Sequence, residues 1–186
     1  MDHEQEAKEL NEALGRFLTS KAAALKNVAA VMIEALRGGH KILVFGNGGS
    51  AAESQHFAAE LVNKFQRLGP ALPALALTTD TSTLTSIAND LSFDRVFSRQ
   101  VEALARPGDV ALALSTSGRS PNIIEGLKAA REKKAVTVAL TGKGGGPLAA
   151  QADYLLDVDS TSTPRIQEVH LFLLHALAAT LEKAFQ

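Results

Sequence analysis

The sequence predicts an α/β fold: a doubly wound, five-stranded parallel sheet with an N-terminal helical arm. Three observations carry this. Five short apolar runs alternate with helix-length segments, the order that a parallel sheet with right-handed crossovers requires. The runs are continuously apolar instead of alternating, as strands covered on both faces are. A chain that is 46% hydrophobic but only 5% aromatic, with no Trp, suits Ala- and Leu-rich helices packed on a sheet better than an all-β sandwich.

The elements follow in order. From Glu4 to Leu36, apolar residues such as Leu10, Leu14, Leu18, Leu25, Val28, Met32 and Leu36 recur at three- and four-residue spacing, and Gly38-Gly39 ends the pattern. This is one long amphipathic arm, or two helices meeting near Thr19-Ser20. The five runs are Ile42 to Phe45, Ala74 to Leu77, Val110 to Leu114, Val136 to Leu140 and Tyr154 to Leu156, and Arg165 to Phe185 reads as a closing helix, apolar on more than one face. Nothing resembles an interdomain linker or an internal repeat, so residues 1–186 read as one domain, with 1–37 the arm and 38–186 the α/β sandwich including the last helix.

Composition narrows the function. Nineteen Lys and Arg against twenty Asp and Glu, with no basic run, give a nucleic-acid surface no electrostatic support. No stretch approaches the roughly 20 apolar residues of a membrane span. The start, with Asp2, Glu4 and Glu6, lacks the basic-then-apolar order of a secretory signal. The expected location is the cytoplasm. Zero cysteines exclude disulfides, thiol nucleophiles and Cys-ligated zinc, so any metal must use His, carboxylate or amide ligands.

In an open α/β sheet, ligands bind outside the carboxyl ends of the strands, which directs attention to the loops that follow them. After the first strand comes Gly46-Asn47-Gly48-Gly49-Ser50-Ala51-Ala52. Its glycines permit close backbone approach, and the free amides of a helix start favour an anion. The spacing matches neither the dinucleotide fingerprint nor a Walker A loop, so NAD and ATP lose their main support. After the third strand, Ser115-Thr116-Ser117-Gly118-Arg119-Ser120-Pro121 offers four hydroxyls leading into a helix with Pro at its first position. That is a neutral cradle for a phosphate dianion, needing no lysine, although each hydroxyl singly could be a helix cap. Asn89 and Asp90, closing the helix behind the second strand, could hold sugar hydroxyls or simply cap and turn.

Acid/base groups lie on two helices. His56 and Glu60 stand at i,i+4 on the helix that begins at the glycine loop, which fits either one small site or a solvated surface pair. The last helix offers Gln167, Glu168, His170 and His175. Gln167 and His175 lie about 12 Å apart along the axis and about 80° apart around it, a separation that long side chains can only just bridge. His170 is a rival ligand by the same arithmetic, and a buried, satisfied histidine is its ordinary alternative.

Together the glycine loop, His56 through Glu60, Ala88-Asn89-Asp90, Ser115-Thr116-Ser117-Gly118, and Arg165-Ile166-Gln167-Glu168 through His175 resemble the phosphoheptose isomerase family of the sugar-isomerase (SIS) domain superfamily, in the same order over nearly the whole chain. The resemblance implies a doubly wound SIS domain, a homotetramer with active sites at subunit interfaces, and conversion of sedoheptulose 7-phosphate to D-glycero-D-manno-heptose 7-phosphate, a first step towards heptose for lipopolysaccharide. It implies one zinc ion per subunit held by His56, Glu60, Gln167 and His175, with Glu60 and His175 also the base and acid. It assigns Asn47, Gly48, Gly49, Asn89, Asp90, Ser115, Thr116, Ser117, Ser120 and Gln167 to the substrate. Lys64 stands where some members have Arg, and Pro164 where some have Asp, so contacts made by those side chains do not transfer.

The implied chemistry is physically coherent. Aldose-ketose isomerisation needs a base to move a proton between C1 and C2 through a cis-enediol, and a group that stabilises the developing oxyanion. Glu60 suits the first role; zinc, or a protonated His175, suits the second. A carboxylate bound to zinc is a weaker base, so Glu60 has to reconcile two duties. Two rivals are a SIS-domain protein that associates with the replication initiator without isomerase activity, and a sugar-phosphate-sensing regulator with an added DNA-binding domain. The first lacks counterparts of Glu60 and His175, both present here. The second needs more than 186 residues and a more basic surface.

Overall fold

The computed structural model describes residues 2–186. Its elements are α1 (His3–Arg37), β1 (Ile42–Gly46), α2 (Gly49–Val62), β2 (Ala74–Ala76), α3 (Thr81–Asp90), α4 (Ser98–Leu104), β3 (Val110–Ser115), α5 (Pro121–Glu132), β4 (Val136–Thr141), β5 (Tyr154–Asp157) and α6 (Thr163–Ala184). Short 3-10 turns occupy Phe93–Arg95 and Gly146–Gln151. The strands pair in parallel in the order β2-β1-β3-β4-β5, as expected of a doubly wound sheet.

The three central strands, β1, β3 and β4, feed two cores. Ile42, Val44, Val110, Leu112, Leu114, Val138 and Leu140 face α1, α2 and α6, while Leu43, Phe45, Ala111, Ala113 and Ala139 face α4 and α5. All twelve are fully buried, which is why the runs carry no polar alternation. No helix is long and apolar enough to cross a membrane among the described residues.

The first helix is a single unbroken element of 35 residues. Thr19 Oγ1 donates to Gly15 O (2.9 Å) and Ser20 Oγ to Arg16 O (2.8 Å). The hydroxyls read as a break are thus absorbed by carbonyls one turn back. Asp2 caps its start by accepting from the amides of Glu4 and Gln5. Ala13, Phe17, Val28, Met32 and Leu36 are buried against the rest of the chain, so α1 packs on its own sheet layer and leaves only part of its stripe uncovered.

With this strand order the chain leaves β1 towards β2 and returns to β3 on β1's other side, so the loops after β1 and β3 flank a topological switch point. These are the glycine loop and the hydroxyl loop.

Candidate active site

The glycine loop owes its shape to two residues. Gly48 has φ +57°, a conformation that only glycine adopts without cost at this ψ. At Gly49 a Cβ would lie 2.4 Å from Gln167 Nε2, so the absence of a side chain lets that amide rest on the first turn of α2. The Asn47 amide donates to Asn122 Oδ1 (2.9 Å), and the Asn122 amide returns a bond to Asn47 Oδ1 (2.8 Å). Asn122, buried in the first turn of α5, thereby fastens the glycine loop across the switch-point crevice. Composition gave no signal for it.

Two turns into α2 the acid/base groups meet. His56 Nε2 lies 3.0 Å from His175 Nε2 and 3.1 Å from Glu60 Oε1, and His175 Nε2 lies 3.5 Å from the same oxygen. The imidazoles meet edge to face at 5.2 Å, and Phe65 tilts against His175 at 5.6 Å. Both imidazoles are part exposed, 49% and 38%, whereas Glu60 is 12% exposed. Two ring nitrogens and a carboxylate oxygen therefore converge on one point with access from solvent, and Glu60 Oε2 is buried without a hydrogen-bond partner. Nitrogen lone pairs that face one another need a shared proton or a cation between them. Two imidazoles, a carboxylate and an accessible side make a donor set suited to a zinc ion with an open position.

The convergence comes from the parallel packing of α2 and α6. Gly49 meets Gln167, His56 meets His175, and Glu182 Oε1 accepts from the amides of Phe65, Gln66 and Arg67 at 2.8–3.1 Å. Those amides hold the Glu182 carboxyl below the usual carboxylate range, and the contact fixes Phe65 beside His175. Of the four ligands implied by resemblance, three thus come together. The Gln167 amide lies at Gly49, seven residues before His56, or about 10 Å along the helix.

His170 behaves differently. It is fully buried, its Nε2 bonds to Thr141 O (3.1 Å), and its Nδ1 has no partner. Burial pushes the imidazole down to about 4, so it stays neutral in the core, away from the cluster.

The hydroxyl loop is a turn with side chains to spare. Ser115 Oγ accepts from Gly118 N and Ser117 Oγ from Arg119 N, both at 3.2 Å. Ser120, at the start of α5, makes no capping bond with its side chain. Thr116 and Ser117 line a cavity of about 250 Å³ shared with the loops after β4 and β5. Ile166 lines it too, one residue before Gln167, so α6 runs from this cavity past the glycine loop to the His56 cluster. Asn89 and Asp90 sit exposed at the end of α3, where Asn89 donates to Asp90 Oδ1 (2.8 Å) and neither bonds to the cluster. Lys64 borders a small cavity with Glu60 and Glu182, and Pro164 occupies the exposed first turn of α6.

Sequence reasoning missed Glu53. It follows the glycine loop on α2, where burial, against a hydrogen bond from Ser50, pushes its carboxyl up to about 7, and its Oε2 has no partner. The i,i+3 spacing to His56 was its only written trace.

The profile of the SIS domain family matches residues 7–142. Phosphoheptose isomerase of Nitratidesulfovibrio vulgaris is 50% identical over 177 residues, spanning 95% of this chain and 84% of that protein. The chain belongs to the phosphoheptose isomerases of the SIS domain family. Among solved structures, phosphoheptose isomerase from Neisseria gonorrhoeae superposes with a TM-score of 0.90 at 44% identity, covering 98% of this chain and 100% of that one. Phosphoheptose isomerase from Francisella tularensis gives 0.93 at 34%, covering 97% and 96%. The family is one of isomerases, and this phosphoheptose isomerase relative carries the family's fold from α1 to α6.

Proposed function

We propose that the protein converts sedoheptulose 7-phosphate to D-glycero-D-manno-heptose 7-phosphate through a cis-enediol, supplying heptose for lipopolysaccharide. The observation that carries this reading is the meeting of Glu60 Oε1 with His56 and His175 Nε2 within 3.5 Å at an accessible point. Glu60 takes the proton from one of C1 and C2 and returns it to the other. His175, held by Phe65 and Glu60, moves the proton at the adjoining oxygens, so the enediol never carries a free alkoxide. The shape of the crevice fits the length of the substrate: Ile166 at the hydroxyl cavity and His175 at the cluster stand nine residues apart on α6, about 13 Å. A seven-carbon chain phosphorylated at its far end separates its charge from C1 in the same sense.

His56, Glu60 and His175 would hold a zinc ion, and Gln167 completes that set only by leaving Gly49. When bound, the ion polarises the substrate carbonyl as a Lewis acid. Asn47, Gly48, Gly49, Asn89, Asp90, Gln167 and the hydroxyls of Ser115, Thr116, Ser117 and Ser120 bind the sugar and its phosphate in this reading. Asn89 and Asp90, far from the cluster's contacts, reach substrate in a neighbouring subunit of a homotetramer. An apolar groove of about 390 Å³ between α1 and α6, lined by Leu18, Leu25, Ile33 and Leu177, supports the assembly. One compact α/β domain, with α1 as its arm (1–37) and 38–186 as its sandwich, acts in the cytoplasm. Purified protein incubated with sedoheptulose 7-phosphate should form the aldose and lose activity with a chelator; absence of turnover with metal restored would overturn the reading.

A further inference from the structure

The cavity beside the hydroxyl loop carries charge from Arg119, within the hydroxyl motif, and from Lys143, outside it. Thr116, Ser117, Ser160 and Thr161 line it together with Arg119 and Lys143, and no acidic side chain is among the lining residues. The three loops are tied together. Gly142 N donates to Thr116 O (3.0 Å) and Lys143 N to Ser160 O (3.1 Å). The backbone of Lys143 is therefore fixed between the two hydroxyl loops while its side chain is 66% exposed. Its Nζ rests on Asp159 Oδ1 at 2.9 Å, outside the cavity lining. Asp159 is itself engaged by Arg16 of α1, through Arg16 Nε to Oδ2 (3.4 Å) and Arg16 Nη2 to the Asp159 carbonyl (3.1 Å).

We propose that Lys143 and Arg119 are the charge partners of the substrate's phosphate monoester, and that Asp159, paired with Arg16, parks Lys143 at the cavity rim until that anion arrives. This rests on the isomerase reading for the substrate, but not for the anion. Hydroxyls offer a dianion hydrogen bonds without neutralising it, whereas bonds from ammonium and guanidinium groups are charge-assisted and roughly twice as strong. A lysine on a flexible four-carbon stem can exchange one anion for another without backbone movement. Its present partner is an exposed ion pair, which costs little to break. Lys143 and Arg119 are thus specificity-determining residues for the phosphorylated over the unphosphorylated ketose, and the arm helix contributes through Asp159.

The test uses Lys143→Gln, Arg119→Asn, Asp159→Asn and, as a charge control on exposed α5, Lys128→Gln. Two constants are read for each: KM for sedoheptulose 7-phosphate, and the Kd of inorganic phosphate by calorimetry. Lys143→Gln should raise both roughly 10- to 100-fold, the worth of a hydrogen bond to a charged group, with the loss falling on KM more than on kcat. Arg119→Asn should act in the same direction, and the salt dependence of both constants should flatten in each variant. Asp159→Asn, which removes the competing anion, should tighten both by about two- to fivefold. Lys128→Gln should move neither. Unchanged phosphate Kd in Lys143→Gln, or an equal loss in Lys128→Gln, would overturn the proposal. If wild-type protein fails to turn over the ketose, the isomerase reading falls, while the phosphate arm still decides the role of Lys143.

Discussion

His170 and His175 lie five residues apart on one helix, and the structure gives them opposite surroundings, one buried in the core and one part exposed beside His56 and Glu60, that a pH series can separate. The imidazole of His170 is held at about 4, against the usual 6.5, because burial penalises its charged form. Above pH 6.5 both folded and unfolded chains carry it neutral, and it leaves stability untouched. Between pH 6.5 and 4 the unfolded chain takes up a proton that the folded chain refuses. Stability is therefore lost as pH falls, at up to about 1.4 kcal/mol per unit, and the accumulated loss by pH 4 is about 3 kcal/mol. His170→Gln removes the titration. Denaturant unfolding at fixed protein concentration from pH 8 to pH 4 should show the wild type losing about 3 kcal/mol more than the variant over that range. At pH 8 the variant should be less stable, through the altered bond to Thr141 O, yet keep whatever zinc the wild type binds. Parallel stability curves for the two proteins would refute the buried neutral histidine, and loss of metal from His170→Gln would refute the assignment of the cluster to His175.

Glu60→Gln keeps the shape of the side chain but removes the proton acceptor, so kcat should fall roughly 10²- to 10⁴-fold with KM much less affected; His175→Ala should lose a similar factor and also release metal, as measured by steady-state kinetics and elemental analysis. Gly49→Ala puts a Cβ where Gln167 Nε2 now stands 2.4 Å away. It should displace that amide and raise KM severalfold while the far-ultraviolet spectrum stays native; an unchanged KM would remove Gln167 from substrate binding. Light scattering should give four times 19.6 kDa, and a charge placed in the apolar groove, Leu25→Glu, should dissociate the assembly.

The sheet was legible because the three central strands are buried on both faces and wrote that fact as unbroken apolar runs, and the part-buried edge strands β2 and β5 are apolar too; the observed limits agree with the runs to within a residue. Thr19 and Ser20 looked like a break because hydroxyls compete with helical backbone, and only the back-bonds to Gly15 and Arg16 show that here they do not. The pairing of His56 with Glu60 was written in their spacing. Their meeting with His175 depends on how α2 and α6 pack, which no local pattern states, and so does the seat of Gln167 on Gly49. The place of Lys143 at the hydroxyl cavity was hidden for a related reason. Lys143 lies in a glycine tract that reads as plain loop, and three separate loops must fold before it faces Ser117. Glu53 resembles any helical carboxylate in the sequence, because the burial that pushes its carboxyl up to about 7 comes from packing.

The side-by-side course of α2 and α6 has a kinetic meaning. His56 and His175 are 119 residues apart in the chain, and α6 follows all five strands. Four of the five strands, β2 to β5, lie between them, and closing so long a loop is rewarded only when α6 docks. A chain in which α6 has not docked can therefore hold the sheet and the glycine loop while His175 is still apart from His56 and Glu60. The meeting of His56, Glu60 and His175 therefore depends on the docking of α6, and undocking that helix alone would undo it.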